Sequence, residues 1–411
     1  MSASRIIVGL DLGSHRVRVV VAEVHEDGRL KVLGLGTVPS EGIRKGIVVG
    51  FEPALDSVRR SVAEAERSSG LELRSVFASV TGDHFRALRS EGVHAKEGES
   101  REITPEDMEQ VVRVARSVQL PPGFRIQHTL PIDFVLDGRG GIKDPVGMDG
   151  VRLQAEVLLI LGEISVLENA AKVIQKAGLN VEGLVFSPLA TALAALQEAE
   201  REEGVVLMDI GAGTTEILVL WEGAVRHTEV LPLGGANVTR DLSIGLNVSL
   251  EDAERLKLDH ATLLAARDPA QRFAIRQVGQ DEDRYVTAET LRSIVEPRIR
   301  ELLDLAWERA RKCEHARRPG TGVVLCGGGA TLRGLAETAA QLYERSVRLG
   351  APLQQEGLTA ELQDPRYTPT VGLLHYGYRR LGSAAWSDAR AKSGSRGLAR
   401  WLHARGKRQG K

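Results

Sequence analysis

The stretch VVLMDIGAGTTEILVLWEG, residues 205 to 223, alternates apolar and polar residues like a half-buried strand, yet an aspartate and a glycine-rich turn stand at its centre. A second stretch, GLDLGSHRVRVVVAEV at residues 9 to 24, aligns with residues 207 to 222 without a gap, so that Asp11 matches Asp209 and Gly13 matches Gly211. Each Asp-x-Gly bends one strand into the next. A strand-turn-strand unit repeated 198 residues later predicts two similar lobes, whose turns converge at the cleft between them.

Both turns carry the groups that bind phosphate. Backbone N–H groups are exposed there beside short hydroxyl side chains, Ser14 in the first turn and Thr214 and Thr215 in the second. The carboxylates at the two strand ends, Asp11 and Asp209, suit a magnesium ion carried mostly through water, because magnesium dehydrates reluctantly and favours one or two carboxylates together with phosphates. For either turn alone, an ordinary hairpin with Asp-Gly turn chemistry is the alternative.

A third glycine-rich segment, GVVLCGGGATLRGL at residues 322 to 335, favours a ligand site over two unrelated hairpins. Its pattern indicates a buried strand, then three glycines, then an amphipathic helix. Because glycine has no Cβ atom, the backbone can approach a ligand closely there, beside a helix N-terminus.

The composition is that of a globular chain. Its 411 residues, 42% hydrophobic and 27% charged, can bury a large core and divide into two or more domains. The two cysteines, Cys313 and Cys326, cannot build a disulfide framework and stand at no metal-ligand spacing, so we expect reduced core thiols, which suits the cytosol. The first residues lack a signal-peptide pattern and no apolar run reaches roughly 18 residues, so we expect neither secretion nor a membrane span.

The net charge of -1 hides an asymmetry along the chain. Residues 383 to 411 contain eight basic residues and one acidic residue, a net charge of +7, so residues 1 to 382 carry -8. An acidic body argues against a protein-wide nucleic-acid surface, and the basic end places any attraction to an anionic partner at the C-terminus.

Other phosphate-binding and hydrolytic fingerprints are absent from the sequence. There is no G-x-x-x-x-G-K-[ST] run, no complete dinucleotide-binding pattern, no H-E-x-x-H and no G-x-S-x-G. These absences exclude P-loop, nicotinamide, zinc-protease and serine-hydrolase interpretations.

The three segments resemble the phosphate-1, phosphate-2 and adenosine motifs of the actin, heat-shock-chaperone and sugar-kinase superfamily. Within it, the sequence resembles the bacterial cell-division family FtsA, whose pattern is echoed outside the shared motifs in ALRSEGVHAKEGESREITPEDM, HTLPIDFVLDGRGGIKDPVGMDGVRL, VRHTEVLPLGGANVTRDLS, DAERLKLDHA and YTPTVGLLHYGY. The resemblance implies an α/β, two-lobed actin-like ATPase fold, a duplicated ribonuclease H-like unit, with an inserted α+β subdomain and a C-terminal amphipathic helix.

The resemblance also implies that ATP and Mg2+ are the ligands, with Asp11 and Asp209 serving the metal. The implied nucleotide contacts are Asp11, Gly13, Ser14, His15, Arg16, Asp209, Gly211, Gly213, Thr214, Thr215, Gly234, Gly235, Glu254, Lys257, Gly327, Gly328, Gly329 and Ala330. Three of these assignments have alternatives: His15 as an exposed turn residue, Arg16 pointing to solvent, and Glu254 with Lys257 as a surface ion pair.

The sequence argues against fast hydrolysis of ATP. Many hydrolysing relatives place an acidic or amide side chain just before the helix that begins VFSPLATALAAL, to orient the attacking water, and Ser187 stands there in this chain. Serine is a poor base, so we expect slow turnover at most and assign no catalytic residue.

We expect six segments. Residues 1–82 with 164–200 form the first lobe (subdomain 1A), interrupted by an α+β insert, 83–163 (1C); residues 201–233 with 321–382 form the second lobe (2A), with a more helical part at 234–320 (2B). Within the insert, Thr104 starts a helix, with strands near 125–136 and 151–161. In the second lobe, Ser249 caps another helix, and Pro297 either kinks a long helix or marks its start.

The last two segments are a polar linker, 383–395, and a membrane-targeting helix, 396–411. In the latter, Leu398, Trp401 and Leu402 fall on one helical face, with Arg400 and Arg405 beside them, an arrangement typical of an interfacial amphipathic helix. A basic tail that never orders is the alternative. Each tail binds only modestly, so stable attachment needs several tails on one assembly.

The resemblance implies a protein that self-associates and tethers FtsZ filaments to the inner face of the cytoplasmic membrane at the septum. The implied partners are FtsZ, further copies of the chain, later membrane proteins of the divisome and anionic lipids, with no nucleic acid. Two alternatives share the cleft: a sugar-kinase-type phosphotransferase and a pilus-assembly actin homologue.

Overall fold

The computed structural model describes residues 5–25, 29–96, 101–265, 268, 270–280, 283–354 and 357–385. The predicted membrane helix and most of the linker lie outside these residues.

The chain begins with a first lobe built on a twisted sheet. Asp11 and Gly13 stand where the first strand turns into the second, and the antiparallel pairing places Asp11 opposite Arg18. The elements are β1 (Arg5–Leu12), β2 (Arg16–Val24), β3 (Leu30–Pro39), β4 (Ile43–Arg44), β5 (Ile47–Val48), α1 (Phe51–Ser69) and β6 (Ser75–Val80).

An inserted domain follows, with β7 (Arg86–Ala95), α2 (Pro105–Ala115), β8 (Phe124–Leu136), β9 (Arg139–Ile142) and β10 (Arg152–Glu163). Its sheet has the order β7-β10-β8-β9, and α2 packs on β7 and β10. The predicted helix start is confirmed: the Thr104 hydroxyl accepts a hydrogen bond from the Asp107 N–H at 3.3 Å, and the Asp107 carboxylate accepts one from the Thr104 N–H at 2.8 Å. The two predicted strands are β8 and β10.

The chain then returns to the first lobe through α3 (Ile164–Lys176), β11 (Asn180–Phe186) and α4 (Ser187–Ala195), and α5 (Glu198–Glu203) leads into the second lobe, where it contacts β13. The sheet of the first lobe has the order β11-β6-β1-β2-β3, with β11, β6 and β1 parallel. Every residue of α4 is buried, because this apolar helix contacts strands of both lobes.

The second lobe consists of β12 (Val205–Ile210), β13 (Thr215–Trp221), β14 (Ala224–Leu231), α6 (Gly235–Leu246), α7 (Leu250–His260), β15 (Arg272–Arg276), β16 (Asp283–Thr287), α8 (Ala288–Ala310), β17 (Gly322–Cys326), α9 (Leu335–Tyr343) and β18 (Val347–Leu349). The helix that follows in sequence, α10 (Thr368–Ala385), packs on α4, β1, β2 and β6 of the first lobe. The main sheet of the second lobe has the order β14-β13-β12-β17-β18, with β12, β17 and β18 parallel. Read from β18 to β14, this sheet repeats the order and the strand directions of the first sheet, so the predicted duplication is confirmed at the level of the sheet.

Two details concern helices of the second lobe. Ser249 caps α7 as predicted, accepting a hydrogen bond from the Asp252 N–H at 3.0 Å. The hypothesis that Pro297 marks a helix start is wrong, because α8 begins at Ala288 with Thr287 as its N-cap and carries Pro297 in its interior. None of the helices in the described part of the chain is both long and apolar enough to cross a membrane.

The inserted domain also contacts the second lobe. Strands β7, β8 and β10 lie against β14. Arg89 donates a hydrogen bond from Nη2 to the Arg226 carbonyl at 2.9 Å, and Lys143 pairs with Glu202. The insert therefore bridges the two halves of the molecule, although it is attached by sequence to the first.

Candidate functional site

The two Asp-x-Gly turns face each other across the cleft. A Cβ atom on Gly213 would lie 2.9 Å from Ser14 Oγ, so the second turn passes the first with no room for a side chain. The turns therefore converge as the repeat predicts. They meet at Gly213 and the Ser14 hydroxyl, both of which the sequence assigned to phosphate.

The third glycine turn lies against the second. Gly327 follows β17 with a φ of +81°, and a Cβ atom there would clash with Asp209 Oδ1 and lie 2.6 Å from the Ile210 carbonyl oxygen. A Cβ atom on Gly329 would lie 2.8 Å from the same oxygen. This close approach explains why glycine is needed at these positions.

The N-terminus of α6 sits beside the second turn. The Gly235 N–H donates to the Gly211 carbonyl at 2.9 Å, and a Cβ atom on Gly234 would lie 2.7 Å from the Ala212 carbonyl oxygen. A helix N-terminus at this point adds a positive electrostatic potential to the cleft.

Glu254 and Lys257, predicted to share a face of α7, form an ion pair of 2.7 Å whose side chains are 25% and 14% exposed. Lys257 Nζ also donates to the Gly235 carbonyl at 3.2 Å, so the pair lies against the start of α6 rather than on open surface. His15 is exposed at the tip of the first turn. Desolvation by surrounding protein atoms lowers the pKa of His15, and Glu254 opposes this lowering.

The two predicted metal carboxylates are buried at the bases of their turns. Asp11 accepts a hydrogen bond from Ser79 Oγ at 2.6 Å, and Asp209 accepts one from Thr191 Oγ1 at 2.6 Å. Burial raises the pKa of Asp11, while Arg18 opposes that rise; burial also raises the pKa of Asp209 to about 6, and the neighbouring charge of Asp11 adds to this rise.

Sequence reasoning missed a third buried acid. Glu216 follows the second turn and accepts hydrogen bonds at 2.6 Å from Thr214 Oγ1 and from Thr81 Oγ1, which belongs to the first lobe. Burial raises the pKa of Glu216 to about 8, and the charge of Asp209 contributes. The only sequence signal was a charged residue inside an otherwise apolar strand.

Sequence reasoning also missed the basic residue beside Asp11. Arg18, not Arg16, approaches that carboxylate, with Nη1 3.6 Å from Asp11 Oδ2 and its guanidinium 5.3 Å from the centre of the Tyr367 ring. The signal was the hairpin register, since a tight turn through Gly13 sets Asp11 opposite Arg18. Arg16 is the first residue of β2 and is half-buried.

A short hairpin, β4–β5, packs against both Asp-x-Gly turns. The Gly46 N–H donates to Ser14 Oγ at 3.0 Å, and a Cβ atom on Gly213 would lie 2.9 Å from the Lys45 nitrogen. Lys45 and Gly46 both have positive φ angles, 50° and 77°, which gives the sharp reversal of this hairpin.

The arrangement fits a divalent cation and a polyphosphate. Three buried carboxylates with raised pKa values stand close enough to repel one another, and a cation between them would relieve that repulsion. No three Asp, Glu, His or Cys side chains of the described residues are grouped tightly enough to hold a metal directly. The predicted membrane residues Leu398, Arg400, Trp401, Leu402 and Arg405 lie outside the described residues, beyond α10.

Comparison with protein families gives two matches. The model "Cell division protein FtsA" matches residues 206–372, and the model "SHS2 domain inserted in FTSA" matches residues 82–161. Among curated proteins, the chain is 38% identical to the cell division protein FtsA of Pseudomonas aeruginosa over 92% of its own length and 91% of that protein. It is 37% identical to FtsA of Escherichia coli K12 over 91% and 90% of the two chains.

Solved structures of the actin-like class share the fold at low sequence identity. A type IV pilus biogenesis complex of PilM and PilN matches with a TM-score of 0.63 and 18% identity, over 90% of this chain and 98% of that one. MreB5 of Spiroplasma citri, bound to AMPPNP, matches with a TM-score of 0.55 and 12% identity, over 92% and 99%. These likenesses show the two-lobed actin-like fold.

Proposed function

Because the chain belongs to the FtsA family of cell division proteins, we propose that it is an actin-like, ATP-binding protein that self-associates and tethers FtsZ filaments to the cytoplasmic face of the membrane at the septum. The observation that carries the nucleotide part is the convergence of three glycine turns and two buried aspartates in one cleft. The boundaries proposed for its subdomains are those given by the sequence. The extent of the family match favours cell division over a phosphotransferase or pilus protein.

The first two turns would hold the phosphates. In this proposal, the backbone of Gly13, Gly211 and Gly213 and the hydroxyl of Ser14 face the polyphosphate. Thr214 and Thr215 would contribute through their backbone, because their hydroxyls donate to Glu216 Oε1 at 2.6 Å and to the Leu233 carbonyl at 2.8 Å.

The adenosine would lie between α7 and the third turn. Glu254 and Lys257 approach it from one side, while Gly327, Gly328, Gly329 and Ala330 approach from the other. A Cβ atom on Gly235 would lie 3.6 Å from Lys257 Nζ and 4.0 Å from the Gly329 Cα atom. The Lys257 side of this pocket and the third glycine turn are therefore close neighbours.

Magnesium would be held near Asp11 and Asp209, mostly through water, where it neutralises phosphate charge. Both carboxylates already accept a hydroxyl hydrogen bond, which fixes their orientation. Hydrolysis would be slow, because Ser187, a poor base, is buried at the start of α4, where many hydrolysing relatives place an acidic or amide side chain.

Binding of magnesium nucleotide is tested by thermal unfolding with ATP, with and without Mg2+. A ligand at about one hundred times its Kd stabilises the wild type by about 2.7 kcal/mol. Asp209→Asn, which keeps the shape and removes the charge, should lose the magnesium-dependent part of the shift. Asp304→Asn, an exposed acid on α8, is the control and should behave as wild type. A wild type indifferent to ATP and Mg2+ refutes the proposal.

The membrane part rests on the tail that follows α10. Three apolar side chains on one face, flanked by arginines, suit the interface of an anionic bilayer, and a self-associated assembly presents many such tails. Trp401→Glu should abolish co-sedimentation with anionic vesicles in the presence of ATP. Trp386→Glu, in the linker, is a matched control. If Trp401→Glu sediments like the wild type, the tail is not the anchor.

The link to FtsZ is tested by its capture on these vesicles. FtsZ should be recruited by the ATP-loaded full-length chain and not by the chain that ends at Gly382. Recruitment by the truncated chain would show that the protein reaches the vesicle by another route.

A further inference from the structure

A short turn beside the third glycine turn carries an arginine held in a fixed orientation. The Gly327 N–H donates to the Pro365 carbonyl at 3.3 Å, so the two turns share a backbone contact. A Cβ atom on Gly328 would lie 3.4 Å from Cγ and 3.9 Å from Cδ of Arg366. The stem of Arg366 therefore covers the space that a side chain at 328 would take.

The guanidinium of Arg366 is locked by Asp364. Nε and Nη2 donate to the two oxygens of that carboxylate, both at 2.8 Å, and the Arg366 N–H donates to the same carboxylate, also at 2.8 Å. A bidentate pair fixes the plane of the guanidinium and leaves its faces free, and the Arg366 side chain is 56% exposed.

The aromatic residue next to Arg366, Tyr367, already has contacts of its own. The Tyr367 ring lies under Arg18, and its hydroxyl is 3.1 Å from Glu361 Oε1. Of the two flat side chains in this turn, Tyr367 is buried and Arg366, whose stem lies next to Gly328, is the exposed one. Planar guanidinium groups stack on aromatic rings.

We propose that Arg366 is the stacking platform for the purine base of the bound nucleotide, with Asp364 as the residue that positions it. The proposal rests on the nucleotide site proposed above and adds a residue that recognises the base rather than the phosphates. Because Asp364 neutralises most of the charge of Arg366, the contribution comes from the flat face and depends on a planar side chain.

The test compares two ligands by calorimetry on the full chain: ATP and inorganic triphosphate, both with Mg2+. Arg366→Ala should weaken ATP binding about three- to tenfold, the range for an exposed stacking contact, and leave triphosphate binding unchanged. Arg366→Lys, which keeps the charge and loses the plane, should resemble Arg366→Ala. Asp364→Asn should weaken ATP binding in the same direction.

Arg317→Ala is the matched control, since Arg317 is an exposed arginine that precedes the opposite end of β17. An equal loss for both ligands would place Arg366 on the phosphates or in the fold, and no loss for ATP would reduce the pair to a turn-stabilising contact; either result overturns the proposal. If the wild type binds neither ligand, the nucleotide site itself fails.

Discussion

Gly327→Ala should damage the cleft more than an ordinary glycine substitution does. The φ of +81° combines with a ψ of 169°, a conformation that essentially only glycine adopts, which costs alanine about 1–3 kcal/mol. The added Cβ atom would also clash with Asp209 Oδ1 and lie 2.6 Å from the Ile210 carbonyl, and forced overpacking of this kind typically adds about 1–3 kcal/mol. We expect a total loss of about 2–6 kcal/mol. Because the clash displaces a carboxylate, binding of ATP with Mg2+ should weaken as well.

The chain supplies a matched control. Gly320 has a φ of +90°, precedes the same strand, and has nothing within 4 Å of the position of a Cβ atom. Gly320→Ala should therefore show the backbone cost alone, about 1–2 kcal/mol, with nucleotide binding unchanged. The measurements are urea unfolding and nucleotide-induced thermal shift. Equal destabilisation by the two variants, with equal binding, would refute the close packing of Gly327 on Asp209.

Two further predictions concern titration and capping. Burial raises the pKa of Glu216 from 4.5 to about 8, so the unfolded chain loses this proton at a lower pH than the folded chain, and the free energy of unfolding should fall from pH 5 to pH 8. In urea titrations Glu216→Gln should flatten that slope; an unchanged slope would show that Glu216 is solvated in the folded protein. Thr104→Ala removes the hydroxyl that caps α2 and should destabilise the inserted domain by about 1 kcal/mol, seen as faster amide exchange in α2; unchanged exchange would show that the cap contributes nothing.

The sequence predicted the duplicated lobes and their facing turns because a short motif, Asp-x-Gly between two strands, sets local geometry and repeats at long range. It predicted the starts of α2 and α7 for a similar reason, since a cap is a local hydrogen bond. Arg18 was missed because its place depends on strand pairing, and Glu216 because its partner Thr81 lies 135 residues away. Of the two alternatives for Pro297, the helix start was wrong because the start of α8 is set by its own cap at Thr287.

The inserted domain is joined by sequence to the first lobe and contacts the second, so its position depends on the angle between the lobes. Two polar contacts join it to the second lobe: Arg89 with the Arg226 carbonyl, and Lys143 with Glu202. Their side chains are half-exposed, so each contact is weak. Any rotation of the lobes that accompanies filling of the cleft must change these contacts. A protein that binds the inserted domain in only one of its positions would therefore change the affinity of the cleft for nucleotide. By thermodynamic reciprocity, the nucleotide would change the affinity for that protein by the same factor.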